Sequence, residues 1–214
     1  MTEIIKYQTS FTVRTESGEY SSNLVITAVG RIPNIENLGL EERGIRATSR
    51  GIEINEYMQT SDPSVFAIGD CASTKQLAPI SDMEAKIAAE NILEVHSTTA
   101  SYDAIRSVVF THPQLASVGL APSEAKELGA EVTVGSGDGS RWGNYRRLNS
   151  SLVRYCTISD ASSGRILGAH LLSPYAGEQI NLFALAIRHG LTGSEIADLP
   201  WAYPTYTSDI KYMI

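Results

Sequence analysis

Thr60-Ser61-Asp62-Pro63-Ser64-Val65-Phe66-Ala67-Ile68-Gly69-Asp70 is the stretch on which the reading of this chain turns. A turn-forming cluster precedes four apolar residues, which stop abruptly at Gly-Asp. The pattern predicts a short buried strand at 65–68. Open α/β sheets bind ligands at the carboxyl ends of their strands. Gly69 at such an end lets the backbone come close to a ligand. The Asp70 carboxylate can accept a hydrogen bond from a sugar-chain hydroxyl, or cap nearby amides. Downstream, Ser81 and Glu84 have capping-box spacing and predict a helix start. Met83, Ile87 and Ala88 share one face of a helix reaching about Leu93 or Val95. Its amino-terminal end, near Leu77-Ala78-Pro79, would offer free amides and a partial positive charge, or be an ordinary helix start.

Upstream, Phe11–Arg14 and Tyr20–Val29 are β-rich, and Glu16-Ser17-Gly18 supplies a turn between them. Leu24–Val29 is continuous and apolar, which predicts a strand buried on both faces. Gly30-Arg31-Ile32-Pro33-Asn34 breaks it. Gly30 allows close approach, and Arg31 can meet a phosphate or carboxylate, or form a surface ion pair. A short strand is predicted at Gly51–Asn55. The small polar run His96–Ser101 is read as a boundary.

Beyond it, strands are predicted at Arg106–Phe110, Leu152–Ile158 and Arg165–Leu172, the last two joined by Asp160–Gly164. Helices are predicted at Pro122–Leu128 and Gly177–His189, the latter with Ile180, Phe183, Ala184 and Ile187 on one face. Thr192 and Glu195 form a capping box for a last short helix that stops at Pro200. Gly135-Ser136-Gly137-Asp138-Gly139 reads as a loop. Strands and helices grouped in this way predict an α+β fold with an antiparallel sheet and flanking helices.

The chain of 214 residues can bury a sizeable core. Its 24 acidic against 17 basic residues argue against a nucleic-acid surface, which needs clustered positive charge. No apolar run is long enough for a membrane span, and no charged-then-apolar leader opens the sequence. Cys71 and Cys156 have neither metal nor CxxC spacing and read as reduced thiols of a cytoplasmic protein. His96, His112, His170 and His189 have no metal-ligand spacing, so no metal site is expected.

Three segments, in order, resemble the pyridine-nucleotide-disulfide oxidoreductase family, whose members include dihydrolipoamide dehydrogenase, glutathione reductase and mercuric reductase. They are Val29–Asn34, Thr60–Asp70 and Phe110-Thr111-His112-Pro113-Gln114-Leu115-Ala116-Ser117-Val118-Gly119. Ala176-Gly177-Glu178 and Tyr203-Pro204-Thr205 extend the likeness. The resemblance implies residues 1–30 as the end of an NAD(P)-binding domain, 31–100 as the closing segment of an FAD-binding domain, and 101–214 as a dimerisation domain. The first two would be a partial α/β remnant of their domains. It assigns Gly69, Asp70, Leu77 and Ala78 to FAD, with Asp70 on the ribityl chain and Ala78 facing the flavin pyrimidine ring. It assigns Gly30 and Arg31 to NAD(P). It further implies a homodimer through 101–214 and a small-molecule or disulfide acceptor.

Two departures stand beside the likeness. The family's GxGxxG phosphate loops and its CxxxxC redox pair have no counterpart in these residues. The chain alone is therefore expected to bind dinucleotides poorly, to hold neither FAD nor NAD(P)H by itself, and to be inactive alone. The family's tail carries His-Pro-Thr followed by a Glu, an acid–base pair for thiol chemistry. Here Tyr203 stands at the His position and Ser208 at the Glu position, with Asp209 next. A phenol is a poor base at neutral pH, so Tyr203 is a candidate hydrogen-bond donor to substrate or a packing residue at a subunit interface. The leading expectation is part of a flavoprotein passing electrons from NAD(P)H through FAD to an acceptor. The alternative is a non-catalytic dimerisation module.

Overall fold

The computed structural model describes residues 2–214, which divide into two compact units, one up to Ala100 and one from Ser101 to Ile214. The first unit opens with three antiparallel strands in the order β1-β2-β3: β1 (Glu3–Lys6), β2 (Phe11–Thr15) and β3 (Gly18–Ser22). Arg14 on the middle strand lies opposite both Glu3 and Glu19 and pairs with each, at 2.8 and 2.6 Å. These contacts are exposed and contribute little each.

Leu24–Val29 is not a buried strand. Leu24, Ile26 and Val29 are 69%, 80% and 85% exposed, and the segment belongs to no ladder. A strand needs a neighbour for its amides and carbonyls, and none of the described residues provides one. Further on, β4 (Ala47–Thr48) and β5 (Gly51–Ile52) form a minimal ladder. The predicted 65–68 strand is reduced to one antiparallel bridge, Phe66 to Gln59.

Helix α1 (Ala78–Leu93) starts three residues before Ser81. Leu77 is extended at its cap, and its carbonyl accepts from the Ile80 and Ser81 amides at 2.9 and 3.1 Å. Glu84 is therefore not a capping residue; it lies on the buried face with Ile80, Ile87 and Ala88. Ile87 and Ala88 pack with fully buried Met58. At the helix end, the Asn91 side chain donates to the Thr98 carbonyl at 2.7 Å and accepts from its amide at 3.2 Å. This clasp turns the chain out of the helix.

The second unit is an α+β layer. Its strands are β6 (Arg106–Val109), β7 (Gln114–Gly119), β8 (Val132–Asp138), β9 (Arg154–Asp160) and β10 (Ile166–Ser173). They form one antiparallel sheet in the order β6-β7-β10-β9-β8. The most buried strand, β10, lies at the centre. Helix α4 (Ala176–His189) covers it with Ile180, Phe183, Ala184 and Ala186, over Val118, Ile166, Ala169 and Leu171. At about 25 cal/mol per Å² of apolar surface removed from water, this layer is the unit's main source of stability. Three shorter helices are α2 (Pro122–Glu127), α3 (Gly143–Arg147) and α5 (Gly193–Ala197). The Thr192–Glu195 capping box of α5 is present, with the Glu195 amide donating to Thr192 Oγ1 at 3.2 Å.

The glycine run at 135–139 is mostly strand, not loop. Gly135 and Gly137 lie opposite Thr157 and Tyr155 on β9. A Cβ at Gly137 would come within 2.6 Å of the Tyr155 hydroxyl, and one at Gly135 within 2.8 Å of Thr157 Oγ1. The glycines make room for a close neighbour rather than breaking a strand. Thr157 Oγ1 also donates to the Met213 carbonyl at 2.6 Å, which ties the tail to the sheet.

Between β9 and β10, Asp160 accepts from the hydroxyls of Ser162 and Ser163 and from the Ser163 amide, each at 2.7 Å. The bonds to Ser163 and Ser162 pull its carboxyl from 3.8 down to about 2. A depressed folded-state pKa means this stabilisation is present above the unfolded value and disappears as pH falls through the folded one. Asp160→Ala is expected to melt below the parent at pH 7, with the gap closing between about pH 4 and pH 2. Paired thermal melts monitored by circular dichroism across that range check it.

Candidate functional site

The first candidate site is built around the Gly69–Asp70 turn. Ile68 is extended, and Gly69 turns into the left-handed region with φ of 65°, opening a 3₁₀ turn over Gly69–Cys71. Two constraints select glycine there. A side chain is disfavoured at that φ, and a Cβ would come within 2.9 Å of Ser81 Oγ. The second constraint also places the turn against the first turns of α1. The Gly69 amide donates to Glu84 Oε2 at 2.6 Å, inside the protein. Glu84 is fully buried, so α1 and the turn share an internal polar contact. Glu84 was missed as a site residue in the sequence. Its signal was a carboxyl at an apolar-face position between Ile80 and Ile87.

This arrangement presents the Asp70 carboxyl at the surface, half exposed, beside the amino-terminal end of α1. Leu77 and Ala78 form that end; Ala78 is exposed and Leu77 half-buried. A half-exposed carboxylate can accept from a ligand hydroxyl, and a helix start offers free amides. Arg31 Nη1 lies 3.0 Å from Asp70 Oδ2. The two candidate residues, separated by 39 positions, therefore meet in an ion pair. Exposed Gly30 precedes Arg31 with φ of 91°, again a glycine conformation. The pairing was not readable from the sequence, because the link between 31 and 70 carries no local pattern.

The second candidate site is the tail. Tyr203 is 77% exposed and shares an open cleft with Pro204 and with Gly143, Asn144, Arg146 and Arg147 of α3. Beneath it lies a buried polar network. Asn144 donates to the Thr205 carbonyl at 2.9 Å and to Asp209 Oδ2 at 3.0 Å. Arg147 Nη2 donates back to Asn144 Oδ1 at 2.8 Å. Burial raises the Asp209 carboxyl above its ordinary value, against the lowering effect of Asn144 and the charges of Lys211 and Arg147. Gln179 of α4 donates to the Tyr206 carbonyl at 2.6 Å and accepts from Tyr145 and Ser173. Tyr206 stacks on Tyr175, with ring centroids 3.8 Å apart. The tail is thus fixed, while Tyr203 stands free on it. Asn144, Arg146 and Arg147 were not singled out in the sequence, although three arginines within 141–147 of an acidic chain were a signal.

Cys71 and Cys156 are both free thiols. His96 stacks on Tyr57 at 4.1 Å, and His170 Nε2 lies 3.0 Å from the Leu120 carbonyl oxygen. Among the described residues no group of three His, Cys, Asp or Glu side chains could hold a metal ion. Among the described residues no helix is long and apolar enough to cross a membrane.

Residues 105–214 match the model of the pyridine nucleotide-disulphide oxidoreductase dimerisation domain, and residues 1–90 match the pyridine nucleotide-disulphide oxidoreductase model. The chain is 38% identical over 180 residues to an uncharacterized 19.7 kDa protein in the mercuric resistance operon of Staphylococcus aureus. That match covers 83% of this chain and 100% of the relative. It is 36% identical to dihydrolipoyl dehydrogenase of Geobacillus stearothermophilus, covering 94% of this chain and 42% of that protein. Solved structures similar in fold include LpdA from Mycobacterium tuberculosis, at TM-score 0.90 and 21% identity, covering 99% of this chain and 47% of that one. Another is the HOCl-induced flavoprotein disulfide reductase RclA from Escherichia coli, at TM-score 0.85 and 22% identity, covering 98% of this chain and 49% of that one. The chain spans about half the length of these solved structures and 42% of the Geobacillus enzyme.

The geometry of the first site makes Glu84 its anchor. Glu84→Ala would leave the Gly69 amide unpaired and a void in α1, at a cost of about 2–3 kcal/mol. Glu84→Gln keeps an acceptor oxygen and is expected to lose less. Urea unfolding followed by circular dichroism compares the two. Equal stability of Glu84→Ala and the parent would contradict the anchor role.

Proposed function

The chain belongs to the pyridine nucleotide-disulphide oxidoreductase family, and from that premise we propose that it is the carboxy-terminal part of a flavoprotein that passes electrons from NAD(P)H through FAD to a small-molecule or disulfide acceptor. Residues 1–30 would close the NAD(P)-binding domain, 31–100 the FAD-binding domain, and 101–214 would form a homodimer. A cytoplasmic setting accords with the two free thiols.

The observation that carries this reading is the Gly69–Asp70 turn, pinned by Glu84 against α1 with Asp70 outward. These residues fit one end of FAD. Asp70 would accept from a ribityl hydroxyl, and Arg31, 3.0 Å away, would aim its carboxylate. Leu77 and Ala78 would set the amino-terminal end of α1 toward the flavin ring, where its partial positive charge favours a reduced, anionic ring. Bound FAD would supply the two-electron carrier. Gly30 and Arg31 lie on the segment proposed to border the nicotinamide nucleotide. The phosphate loops that would hold both dinucleotides are not among these residues.

Tyr203 replaces the family's basic residue on the tail. On this reading it donates a hydrogen bond to the acceptor rather than taking a proton from it.

Expressed from its full reading frame, the protein is expected to purify with flavin absorbance. Asp70→Ala is expected to weaken FAD binding about tenfold, the worth of one hydrogen bond to a charged group. A colourless protein that takes up no added FAD would overturn the reading.

The alternative, a dimerisation module without catalysis, is favoured by the self-contained sheet and helix layer of 101–214. Sedimentation velocity of the 214-residue chain is expected to show a dimer without flavin. A monomer at high concentration would contradict the dimer in both readings.

A further inference from the structure

The cleft beside Tyr203 has an electrostatic character opposite to that of the whole chain. The formal net charge is -7. Yet the cleft is lined by Gly143, Asn144, Arg146, Arg147, Tyr203 and Pro204, with two guanidiniums and no carboxylate. Among the described residues, no carboxylate oxygen lies within ion-pair distance of Arg146 or Arg147. Asp209 is the nearest acid in the underlying network, but it is only 2% exposed and is covered by Asn144.

The donors are also arranged. Arg146 and Arg147 both belong to the last turn of α3, a five-residue helix, and both line the cleft. Arg147 is held by its 2.8 Å bond to Asn144, and Asn144 is itself fixed by Thr205 and Asp209. The Tyr203 hydroxyl lies 3.9 Å from the position a Cβ on Gly143 would take, so the phenol stands over the start of α3. Charge near a helix carboxyl end explains one arginine through the dipole. It does not explain why both line one cleft with a phenolic donor and without an acid.

We propose that this cleft binds an oxyanion, the carboxylate or phosphate of a small acceptor. Arg146 and Arg147 supply charge and paired donors, and Tyr203 supplies a neutral one. Asn144 is a positioning residue that holds Arg147. The inference rests on the proposed function only in naming the ligand an acceptor. Binding itself requires no flavin.

The test uses the 214-residue chain without cofactor, at low ionic strength, and two probes that differ only in charge: lipoate, a carboxylate, and lipoamide, its neutral amide. Binding is read by isothermal titration and by fluorescence of Trp142, which adjoins Gly143. Lipoate is expected to bind about tenfold or more tightly than lipoamide. Arg146→Gln and Arg147→Gln should each weaken lipoate about five- to tenfold, and the double variant should remove the preference for the acid. Tyr203→Phe should weaken it less. Inorganic phosphate is expected to compete if the site takes any oxyanion; failure to compete while lipoate binds would assign the cleft to carboxylates. Circular dichroism melts establish that each variant is folded, and lysine at either position keeps the charge and should restore part of the binding. Equal affinity for lipoate and lipoamide, no binding of lipoate or phosphate, or lipoate affinity unchanged in the double glutamine variant would each overturn the proposal. FAD uptake by the full-length protein is measured separately, so either idea can fail while the other stands.

Discussion

One buried hydrogen bond organises the candidate flavin end of this chain: the Gly69 amide to Glu84 Oε2, at 2.6 Å. A polar group taken out of water must find a partner or destabilise the fold by about 1–3 kcal/mol. Placing Glu84 on the apolar face of α1 therefore obliges something to meet it, and the turn after Ile68 does so. Only glycine tolerates both the φ of 65° and the 2.9 Å approach to Ser81. The next residue, Asp70, is then forced outward. Chemistry at the surface follows from a constraint in the interior.

The second unit reaches a comparable end by different means. Its core is apolar, with β10 at the centre of the sheet and α4 across it. Its tail is polar and held point by point: Thr157 on Met213, Gln179 on Tyr206, Asn144 on Thr205 and Asp209. Such a network fixes a backbone without shielding all of it. Tyr203 can thus be exposed on a rigid corner beside two arginines. In both units a buried amide or carboxyl group positions an exposed one.

The sequence revealed what repeats or caps locally. Helix α4, the β9–β10 pair and the Thr192–Glu195 cap could be read from period and spacing, because neighbours in sequence determine them. The ordered motifs revealed the family for a similar reason: each is a short run of residues. What stayed hidden depends on partners far along the chain. Gly135 and Gly137 looked like a loop until Tyr155 and Thr157 were seen to need the space above them. Leu24–Val29 looked like a buried strand, but burial requires a neighbouring strand that the described residues lack. Ser81 and Glu84 had the spacing of a cap, yet Leu77 already occupied that position and Glu84 had an internal role. The Arg31–Asp70 pair joins residues with no local relation, and the cleft joins Tyr203 to the distant Arg146 and Arg147.

Everything the first site presents depends on the order of the Gly69 turn. Amide hydrogen exchange of the 214-residue chain, resolved by residue with NMR, measures it. The buried bond to Glu84 predicts that the Gly69 amide exchanges as slowly as those of Ile87 and Ala88 in the middle of α1, and far more slowly than those of exposed Leu24–Val29. A Gly69 amide that exchanges at the rate of that exposed segment would contradict it.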